Sequence, residues 1–443
     1  MNSIKKYTLI TYGCQMNDYD SAVMSGLLEG AGWRRVDDEK DADLVIINTC
    51  SVRAGAEQRA IGRLTILNRI KRHRRRDMLF CLAGCVAQEW GEDIIKRFPF
   101  VDLVVGTRDF VRIPELVERV MATRTPLVAT SGIEAPLQIG IPHTNQKHPL
   151  RAGITIVYGC DNFCAYCIVP YVRGREQSRN PEDIIAEVTA LAKRGFLEIV
   201  LLGQNVNAYQ YDSVDFARLL ERVNAMDNIL RIRFVTSHPK DTSERLIEAM
   251  ACLDKVCENF HLPFQAGSNS VLERMNRKYT REDYLHLIEK IRKQIPDITL
   301  STDILVGFPG ETDEDFRQTM DIVRTVRFDA AFTFLYTPRP MTHAHAAFKD
   351  DVPLQVKKER LQQVIALQES ISHEKNKALV GSIQEILVEG VGRKGGRQLV
   401  GRTRGDKMVA FEGEPEMIGT LQRVTILEAW PHTLFGALAN PTE

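Results

Sequence analysis

The sequence has no long hydrophobic run and no excess of charge of either sign. No stretch approaches the ~20 apolar residues needed to span a bilayer, and 58 Lys and Arg residues balance 58 Asp and Glu residues. Balanced charge argues against nonspecific coating of nucleic acid, although it permits local basic patches. A hydrophobic fraction of 44% and a charged fraction of 26% exclude a mostly disordered chain.

The start of the sequence lacks the features of a secretion signal. The segment MNSIKKYTLITYG has only a short apolar stretch and leads directly into a strand-like pattern. We therefore expect a cytosolic protein with no membrane association. Nine cysteines, an odd number, argue against a disulfide framework in such a chain. In a reducing compartment, grouped cysteines are more often metal ligands or catalytic groups.

Three segments with different patterns divide the 443 residues, a length that suggests about three domains. Residues 1–138 alternate short strands with helices, which predicts a doubly wound α/β domain. Residues 146–378 repeat the strand–helix unit six times, too few to close a barrel of this type, and predict a partial (βα)6 barrel. Residues 379–441 predict a small antiparallel β-barrel of OB-like type. The polar segment 136–149 is predicted to be a linker.

Short apolar runs and capping residues give the predicted elements. The predicted strands are Tyr7–Tyr12, Leu44–Asn48, Met78–Leu82, Val101–Val105, Ile154–Tyr158, Glu198–Leu202, Arg231–Thr236, Glu258–Leu262, Thr299–Leu305, Ala331–Tyr336, Ile383–Glu389, Gln398–Arg402, Met408–Phe411 and Leu421–Glu428. Helices are predicted near Asp18–Ala31, Arg53–Arg75, Glu89–Arg97 and Leu354–Leu379. Asn180 before Pro181 predicts a helix start, as do the pairs Thr280/Asp283 and Thr312/Asp315.

Cysteines follow three predicted strands of the first segment. Cys14, Cys50 and Cys85 each fall within about three residues of a strand's carboxyl end, where parallel sheets bind ligands. The alternative is three core cysteines, but a core cysteine more naturally lies within a strand, as Cys81 does. We therefore predict a site made of these three thiols and assign Cys81 and the remaining two cysteines to packing.

A second group of cysteines follows the first strand of the central segment in the pattern CxxxCxxC. Cys160, Cys164 and Cys167 can face one centre from a single loop, and soft sulfur ligands favour zinc or an iron–sulfur cluster. A structural zinc site would need a fourth ligand nearby, and the local sequence offers none. One coordination position is therefore predicted to be open, with zinc kept as an alternative.

Polar residues and turn formers follow the other central strands. These stretches begin at Gly203, Thr236, His261, Gly307 and Tyr336. Any one of them could be a simple turn, but their repetition favours a shared active-site face.

Together these motifs resemble those of the radical S-adenosylmethionine (SAM) methylthiotransferases, whose C-terminal module is the TRAM domain. The matching stretches are TYGCQMNDYDS, NTCSVR, GCVAQ, GCDNFCAYCIVPYVRGREQSR, LLGQNVNAY, TSHPK, HLPFQAGS, STDILVGFPGET and GRT. They cover nearly the whole chain. Gln15-Met16-Asn17 favours the MiaB-type branch, which acts on isopentenyladenosine in tRNA. The chain departs from the family pattern between Arg339 and Phe348 and at Ala266, where the family commonly has serine.

The resemblance implies methylthiolation at C2 of N6-isopentenyladenosine, next to the anticodon at position 37 of tRNA. It implies two 4Fe–4S clusters, one on Cys160, Cys164 and Cys167 and the other on Cys14, Cys50 and Cys85. One SAM molecule would be the radical source and a second the methyl donor. A C2–H bond without acidity needs such chemistry, which the cofactors carry. By analogy, the expected SAM contacts are Gln204, Asn205, Gly307 and Glu311; no catalytic residue beyond the cluster ligands is expected.

Basic patches in all three segments predict contacts with the tRNA anticodon stem-loop. The residues concerned are Arg72, Arg74, Arg75, Arg173, Arg175, Arg393, Lys394, Arg402 and Arg404. Each run alone is more often a solvated face or a favourable helix C-terminus. An electron donor, a sulfur donor and a monomeric state are also expected.

Other functions stay open at this point. Relatives in the family modify threonylcarbamoyl-adenosine in tRNA or a ribosomal protein side chain. A two-cluster electron carrier or a zinc-stabilised RNA-binding protein are non-enzymatic alternatives.

Overall fold

The computed structural model describes residues 4–52, 54–73, 77–130, 132, 148–393 and 395–439. Apart from residues 148 and 149, the predicted linker lies outside these ranges. The described chain forms a six-stranded parallel sheet, two three-stranded parallel sheets, a closed barrel, two small two-stranded sheets and two isolated bridges. Within the same residues, no helix combines the length and the hydrophobicity needed to cross a bilayer.

The N-terminal unit is a parallel sheet with helices on both faces. Its strands are β1 (Lys6–Tyr12), β2 (Arg34–Arg35), β3 (Leu44–Thr49), β4 (Leu79–Gly84), β5 (Leu103–Val105) and β6 (Leu127–Ala129), in the order β2-β1-β3-β4-β5-β6. Its helices are α1 (Gln15–Gly30), α2 (Ala54–His73), α3 (Cys85–Trp90), α4 (Asp93–Arg97) and α5 (Ile113–Thr123). Ile46 packs with α1 and α5, whereas Ile47 packs with α2, because successive strand side chains alternate between faces. The predicted doubly wound fold is confirmed.

The structure adds to and corrects the predicted elements of this unit. The stretch predicted as one helix over Glu89–Arg97 is two short helices, because Gly91 adopts a positive φ of 49° and ends α3. The short strands β2 and β6 and the helix α5 were not predicted. Both strands lie at the edges of the sheet, where few residues are needed to complete it.

The central unit contains six principal parallel strands. Its strands are β7 (Arg151–Thr155), β8 (Val157–Tyr158), β9 (Gln177–Ser178), β10 (Glu198–Leu202), β11 (Gln210–Tyr211), β12 (Val214–Asp215), β13 (Arg231–Phe234), β14 (Asn259–His261), β15 (Thr299–Val306) and β16 (Ala330–Leu335). Its helices are α6 (Val169–Arg173), α7 (Pro181–Lys193), α8 (Phe216–Asn224), α9 (Glu244–Cys252), α10 (Asn269–Arg274), α11 (Arg281–Gln294), α12 (Asp313–Val326), α13 (His343–Ala347) and α14 (Leu354–Lys377).

These strands form an open, curved array, as predicted. The sheets β13-β10-β7 and β14-β15-β16 are joined by a parallel bridge between Ile232 and Val256. Side chains from both sheets, including Phe234 and Phe260, share one core. The predicted capping boxes of Thr280 and Thr312 are present and begin α11 and α12.

The C-terminal unit is a closed five-stranded barrel. Its strands are β17 (Ile383–Val391), β18 (Gln398–Thr403), β19 (Met408–Glu412), β20 (Leu421–Ala429) and β21 (Leu434–Leu438). The predicted small barrel is confirmed, and its strand pairings are antiparallel with one exception. The unpredicted strand β21 lies parallel to β19 and antiparallel to β20, and it thereby closes the barrel.

Candidate active site

We call Cys14, Cys50 and Cys85 the N-terminal trio. They lie immediately beyond the carboxyl ends of the adjacent strands β1, β3 and β4, where the sequence predicted them. The Cys50 thiol hydrogen-bonds with both Cys14 and Cys85. Cys50 and Cys85 are buried, and Cys14 is half-buried. Parallel pairing therefore brings together three thiols that lie more than thirty residues apart in the sequence.

Two asparagines hold the loops of this trio. Asn17 Oδ1 accepts hydrogen bonds from the backbone N–H and the thiol of Cys14, each at 3.3 Å. Asn17 Nδ2 donates to Asn48 Oδ1 at 3.2 Å and to the Thr49 carbonyl at 3.0 Å. Both asparagines are fully buried. Neither was predicted as a site residue, although Asn17 lies in the QMN stretch that indicated the family branch.

Gly84 is required beside the same loops. Its φ is 91°, and a Cβ atom there would lie 2.3 Å from Asn48 Oδ1 and 2.5 Å from the Thr49 carbonyl oxygen. A residue with a side chain would be strained in this backbone conformation and would push the loops apart. The small residue before Cys85 thus lets the third thiol approach the other two.

Mutual hydrogen bonding and a nearby cation distribute charge within the trio. The Cys50 thiol, followed by Arg173, lowers the pKa of Cys14 to about 6 and that of Cys85 to about 7, against the opposing effect of burial. The pKa of Cys50 is raised well above its usual range by its bonds to the other two thiols. The two outer thiols are thereby favoured as thiolates, the form that binds metals.

We call Cys160, Cys164 and Cys167 the central trio. Its loop begins at Gly159, whose φ is 69° and whose position leaves no room for a Cβ, since the Arg175 and Gly174 carbonyl oxygens would lie 2.2 and 2.4 Å away. Burial raises the pKa of Cys160 to about 12 and raises that of Cys167 as well. Desolvation disfavours an isolated thiolate, so these thiols ionise when a cation lies among them.

A buried arginine contacts the central trio. Arg277 donates from Nη1 to the Cys164 sulfur at 3.4 Å and from Nη2 to the Pro263 carbonyl at 2.9 Å. Its Nε donates to Tyr279 at 3.0 Å. Arg277 was not predicted, because it lies more than one hundred residues after the cysteine motif.

The donor chemistry of both trios fits an iron–sulfur cluster. Each trio offers only soft sulfur ligands from a loop or from strand ends, which is the ligand type of such clusters. In the N-terminal trio the thiols hydrogen-bond one another, and in the central trio they interact electrostatically. Among the residues that the structure describes, no three His, Cys, Asp or Glu side chains converge on a single metal ion; the fit is to a cluster, in which each thiolate binds a different iron.

The two trios adjoin each other through α6. Ile168, the residue after Cys167, packs with Val172 against Cys85 in a small buried cluster. Thr107 of the N-terminal unit donates a hydrogen bond of 2.5 Å to the Val172 carbonyl. The helix that follows one cysteine motif is therefore part of the wall of the other.

Unpaired polar atoms line the strand ends beside the central trio. The buried atoms there without a hydrogen-bond partner among the described residues include Gln204 Oε1, Asn205 Oδ1, Ser237 Oγ and His238 Nε2. Buried polar groups are normally paired, so this set indicates a polar ligand. Burial, with Arg277 and Lys240, lowers the pKa of His238 to about 2, so its imidazole is neutral. Ser237 and His238 were not predicted as site residues; their position after a strand end was the available signal.

Gly307 and Glu311, which were predicted to contact SAM, contact other residues of the protein. Gly307 has a φ of 74° and no room for a Cβ beside Lys357. The Glu311 carboxylate accepts from Gly307 N at 3.0 Å and from Arg360 at 2.7 Å. The Glu311 carboxylate is bound within the protein and holds the Gly307 turn, and a cofactor contact at these two residues stays a prediction.

Three of the arginines predicted to contact RNA are bound within the protein. Arg173 is buried and paired with Asp20. Arg404 makes a bidentate pair with Glu258 at 2.7 and 2.8 Å, and Arg402 pairs with Asp406 at 3.3 Å. Arg402 and Arg404 also accept hydrogen bonds at their carbonyls from arginines of β13, so they join the barrel to the central unit. The predicted RNA contact at Arg173 is wrong, because its side chain is 4% exposed, whereas the side chains of Arg402 and Arg404 are paired but each 26% exposed.

The other described arginines that were predicted to contact RNA are exposed. Arg72 and Arg393 are exposed. Arg175 is 70% exposed, pairs with Asp161 at 2.7 Å and lies over the Phe163 ring at 5.8 Å. Arg74, Arg75 and Lys394 lie outside the described residues.

Comparisons with known proteins agree with this architecture. The Radical SAM superfamily model matches residues 154–323, the model described as Uncharacterized protein family UPF0004 matches residues 6–106, and the TRAM domain model matches residues 377–439. Among solved structures, the radical S-adenosylmethionine methyltransferase TsrM from Kitasatospora setae, with cobalamin and a [4Fe-4S] cluster bound, is similar at a TM-score of 0.56 and 18% identity. It covers 77% of each chain, and this likeness concerns the fold.

Curated relatives match over almost the full length. A tRNA-2-methylthio-N(6)-dimethylallyladenosine synthase from Pelotomaculum thermopropionicum is 48% identical over 98% of each chain. One from Moorella thermoacetica is 46% identical over 98% of this chain and 99% of the relative. These matches confirm the predicted resemblance, and the chain belongs to the family of tRNA-2-methylthio-N(6)-dimethylallyladenosine synthases, which are radical SAM methylthiotransferases.

Proposed function

We propose that this protein transfers a methylthio group to C2 of N6-isopentenyladenosine, also called N6-dimethylallyladenosine, at position 37 of tRNA. The observation that carries the proposal is the contact between the two trios through α6, where Ile168 packs against Cys85. A sulfur-bearing centre and a radical-generating centre must both reach one carbon atom. Family membership at 48% identity supports the same substrate.

The two trios would each hold one 4Fe–4S cluster, and SAM would bind beside the central trio. When bound, these groups supply the electron, the radical and the sulfur that a non-acidic C–H bond requires. The residues of the chain hold and surround them. Cys160 and Cys164 are buried, and Cys167 is half-buried. The access of water to that site is therefore limited.

The unpaired polar atoms near the central trio would orient SAM. Gln204 Oε1 and Asn205 Oδ1 accept hydrogen bonds, and Asn205 is held in place by donating to Asp241 at 2.7 Å. The Gly307 turn permits close approach of a ligand to the backbone, and Glu311 fixes that turn. A neutral His238 adds no positive charge next to the sulfonium of SAM.

The exposed arginines would bind the phosphates of the anticodon stem-loop, with Arg72, Arg175 and Arg393 as the described candidates. Phe163 is 38% exposed and lies in the central trio's own loop, beside Arg175. An exposed aromatic ring at this position offers a stacking surface for an unstacked base. Arg74, Arg75 and Lys394 belong to the same predicted patches.

The remaining components of the proposal are a one-electron donor, a sulfur donor and a monomeric, cytoplasmic enzyme. We assign residues 1–138 to the N-terminal trio, residues 146–378 to the central trio and SAM, and residues 379–441 to RNA binding.

The test is anaerobic reconstitution, iron and sulfide counting, and then reaction with SAM, a reductant and tRNA. Mass spectrometry of the nucleosides should show the methylthio product only with isopentenylated tRNA. Parallel reactions with threonylcarbamoyl-adenosine tRNA and with ribosomal protein should give none. Product in either of those, and none with isopentenylated tRNA, would contradict the proposed substrate.

A matched pair of cysteine variants distinguishes a thiol of the proposed cluster site from a thiol that only packs in the core. Cys14→Ala should abolish product, whereas Cys81→Ala should retain it, because Cys81 is buried within β4 of the same sheet and away from the strand ends. Retained methylthiolation by Cys14→Ala would refute the role of the N-terminal trio.

A further inference from the structure

Arg173 belongs to the central unit but lies at the N-terminal trio. It ends α6, six residues after Cys167 in the sequence. Its Nη2 atom lies 2.8 Å from Asp20 Oδ2, and the two side chains are 4% and 3% exposed. Val172, the residue before Arg173, packs against Cys85, and the guanidinium acts electrostatically on both Cys85 and Cys14. One buried cation thus lies between a carboxylate of α1 and two of the three thiols.

The position of this cation is fixed from both units. Arg108 of the N-terminal unit donates to the Arg173 carbonyl at 3.0 Å and to Gln177 at 3.0 Å. These contacts hold the carboxyl end of α6 against the N-terminal sheet, so the guanidinium cannot turn toward solvent without breaking the interface.

The charges around Arg173 are not balanced by Asp20 alone. A buried cation is stable only when it is paired and hydrogen-bonded. Asp20 supplies one carboxylate, of which Oδ1 has no partner among the described residues. The thiolates of the trio are the other anions within reach. The arrangement is therefore one cation shared between a fixed anion and the sulfur atoms.

We propose that Arg173 is a positioning residue that acts as the counter-ion of the N-terminal trio and, with Asp20 opposing it, sets the reduction potential of the cluster bound there. The proposal rests on the proposed function, because it assumes that the trio holds a cluster. Reduction adds negative charge to a cluster, and nearby charge is one of the factors that tune its potential. Arg173 raises the potential, and Asp20 lowers it.

The chain provides a matched control in Arg179. Its Nη1 atom donates to Glu187 at 2.8 Å, to Tyr19 at 3.2 Å and to the Thr155 carbonyl at 2.7 Å. Like Arg173, it is a buried arginine that joins the central unit to α1. Its partners are a carboxylate, a phenol and a carbonyl instead of thiols. Loss of Arg179 therefore reports the cost of disturbing the interface without removing charge from the trio.

The experiment isolates the N-terminal cluster in the full chain. All variants carry Cys160→Ala, Cys164→Ala and Cys167→Ala, which leave only the N-terminal trio to bind a cluster. Anaerobic reconstitution with iron and sulfide counting comes first. A parent protein that binds neither iron nor sulfide would contradict the proposed function, and a parent that binds both allows the redox titration, followed by electron paramagnetic resonance.

Four substitutions then test the role of the charge. Arg173→Gln should shift the midpoint potential to a more negative value, Arg173→Lys should stay close to the parent, Asp20→Asn should shift it to a more positive value, and Arg179→Gln should leave it unchanged. A merely structural role predicts the same direction of change for Arg173→Gln, Asp20→Asn and Arg179→Gln.

The outcomes are decisive in either direction. An unchanged potential in Arg173→Gln or in Asp20→Asn, or a shift of Arg179→Gln equal to that of Arg173→Gln, would overturn the proposal. If Arg173→Gln binds no cluster, the comparison of Asp20→Asn with Arg173→Lys decides, because a positive shift in the first and a parental value in the second support the opposing charges.

Discussion

Asn17 Nδ2 lies 3.2 Å from Asn48 Oδ1, and this hydrogen bond joins the loop that carries Cys14 to the strand that leads to Cys50. The pair is reciprocal, since Asn48 Nδ2 donates to the Asn17 carbonyl at 2.8 Å. Two carboxamides therefore join the first turn of α1 to β3, one residue before the pairing of β1 with β3 ends. The separation of two thiols is set by a side-chain pair that contributes no sulfur.

Asn17→Ala should remove the N-terminal cluster and spare the central one. The substitution leaves the buried Asn48 Oδ1 without its donor, which costs about 1–3 kcal/mol, and it removes the acceptor of the Cys14 thiol. We expect about half of the parental iron and sulfide after reconstitution. The variant should still cleave SAM reductively to 5′-deoxyadenosine but form no methylthio product. Full iron content with normal product would show that the asparagine pair is dispensable.

Gly159→Ala should remove the central cluster and spare the N-terminal one. A methyl group at this position would meet the Arg175 and Gly174 carbonyl oxygens at 2.2 and 2.4 Å, in a backbone conformation that disfavours side chains. The loop of the central trio must therefore move. The iron that remains should reside in the N-terminal trio, and 5′-deoxyadenosine should not form. Gly195→Ala, also at a positive φ but with nothing within 4 Å of the added Cβ, controls for backbone strain alone.

Salt titrations of tRNA binding should separate exposed arginines from paired ones. Each phosphate contact that is lost reduces the slope of log affinity against log salt by about one. We expect such a reduction for Arg72→Gln and for Arg393→Gln, because both residues are exposed. Arg404→Gln should leave the slope unchanged, since Glu258 already binds that guanidinium. Equal slopes for all three variants and the parent would contradict the assignment of these arginines.

Glu176→Gln should stabilise the protein at neutral pH and not at acidic pH. Burial, followed by Asp161 and Asp241, raises the pKa of Glu176 from 4.5 to about 7. A carboxyl with a raised folded-state pKa favours folding when it is protonated, and this contribution is lost as the pH rises from about 4.5 to about 7. The amide avoids that loss, so the variant should gain about 1–2 kcal/mol at pH 8, after allowance for solvent screening.

Chemical unfolding of the metal-free protein at pH 4.5 and pH 8 measures this difference. Glu244→Gln serves as the control, because its exposed pair with Lys290 lowers the pKa of Glu244 and no gain at pH 8 is expected. A gain of the same size at both pH values would attribute the effect of Glu176→Gln to something other than its charge.

Much of the fold and the placement of the thiols followed from sequence because both depend on local patterns. Parallel strands put their carboxyl ends at one edge, so Cys14, Cys50 and Cys85 could be grouped from strand prediction alone. The capping boxes at Thr280 and Thr312 are equally local. The strand β21 escaped prediction, and its parallel pairing with β19 depends on closure of the barrel.

The partners of charged residues could not be predicted in the same way. Arg173 and Arg404 lie in basic stretches that suggested phosphate binding, but their carboxylate partners, Asp20 and Glu258, are more than one hundred residues distant in the sequence. Charge density along the chain does not reveal whether a guanidinium faces solvent or another unit. Asn17 and Arg277 were missed for the same reason, since their roles arise only from contacts across the fold.

Asp20 and Arg173 are also made at different times during synthesis of the chain. Asp20 emerges from the ribosome some 150 residues before Arg173 does, so Arg108 is the cation of the nascent N-terminal unit that acts on this carboxylate. Until α6 is made, Cys85 lacks the wall that Ile168 and Val172 provide. Iron delivered during synthesis would therefore reach the N-terminal trio before the central unit covers it.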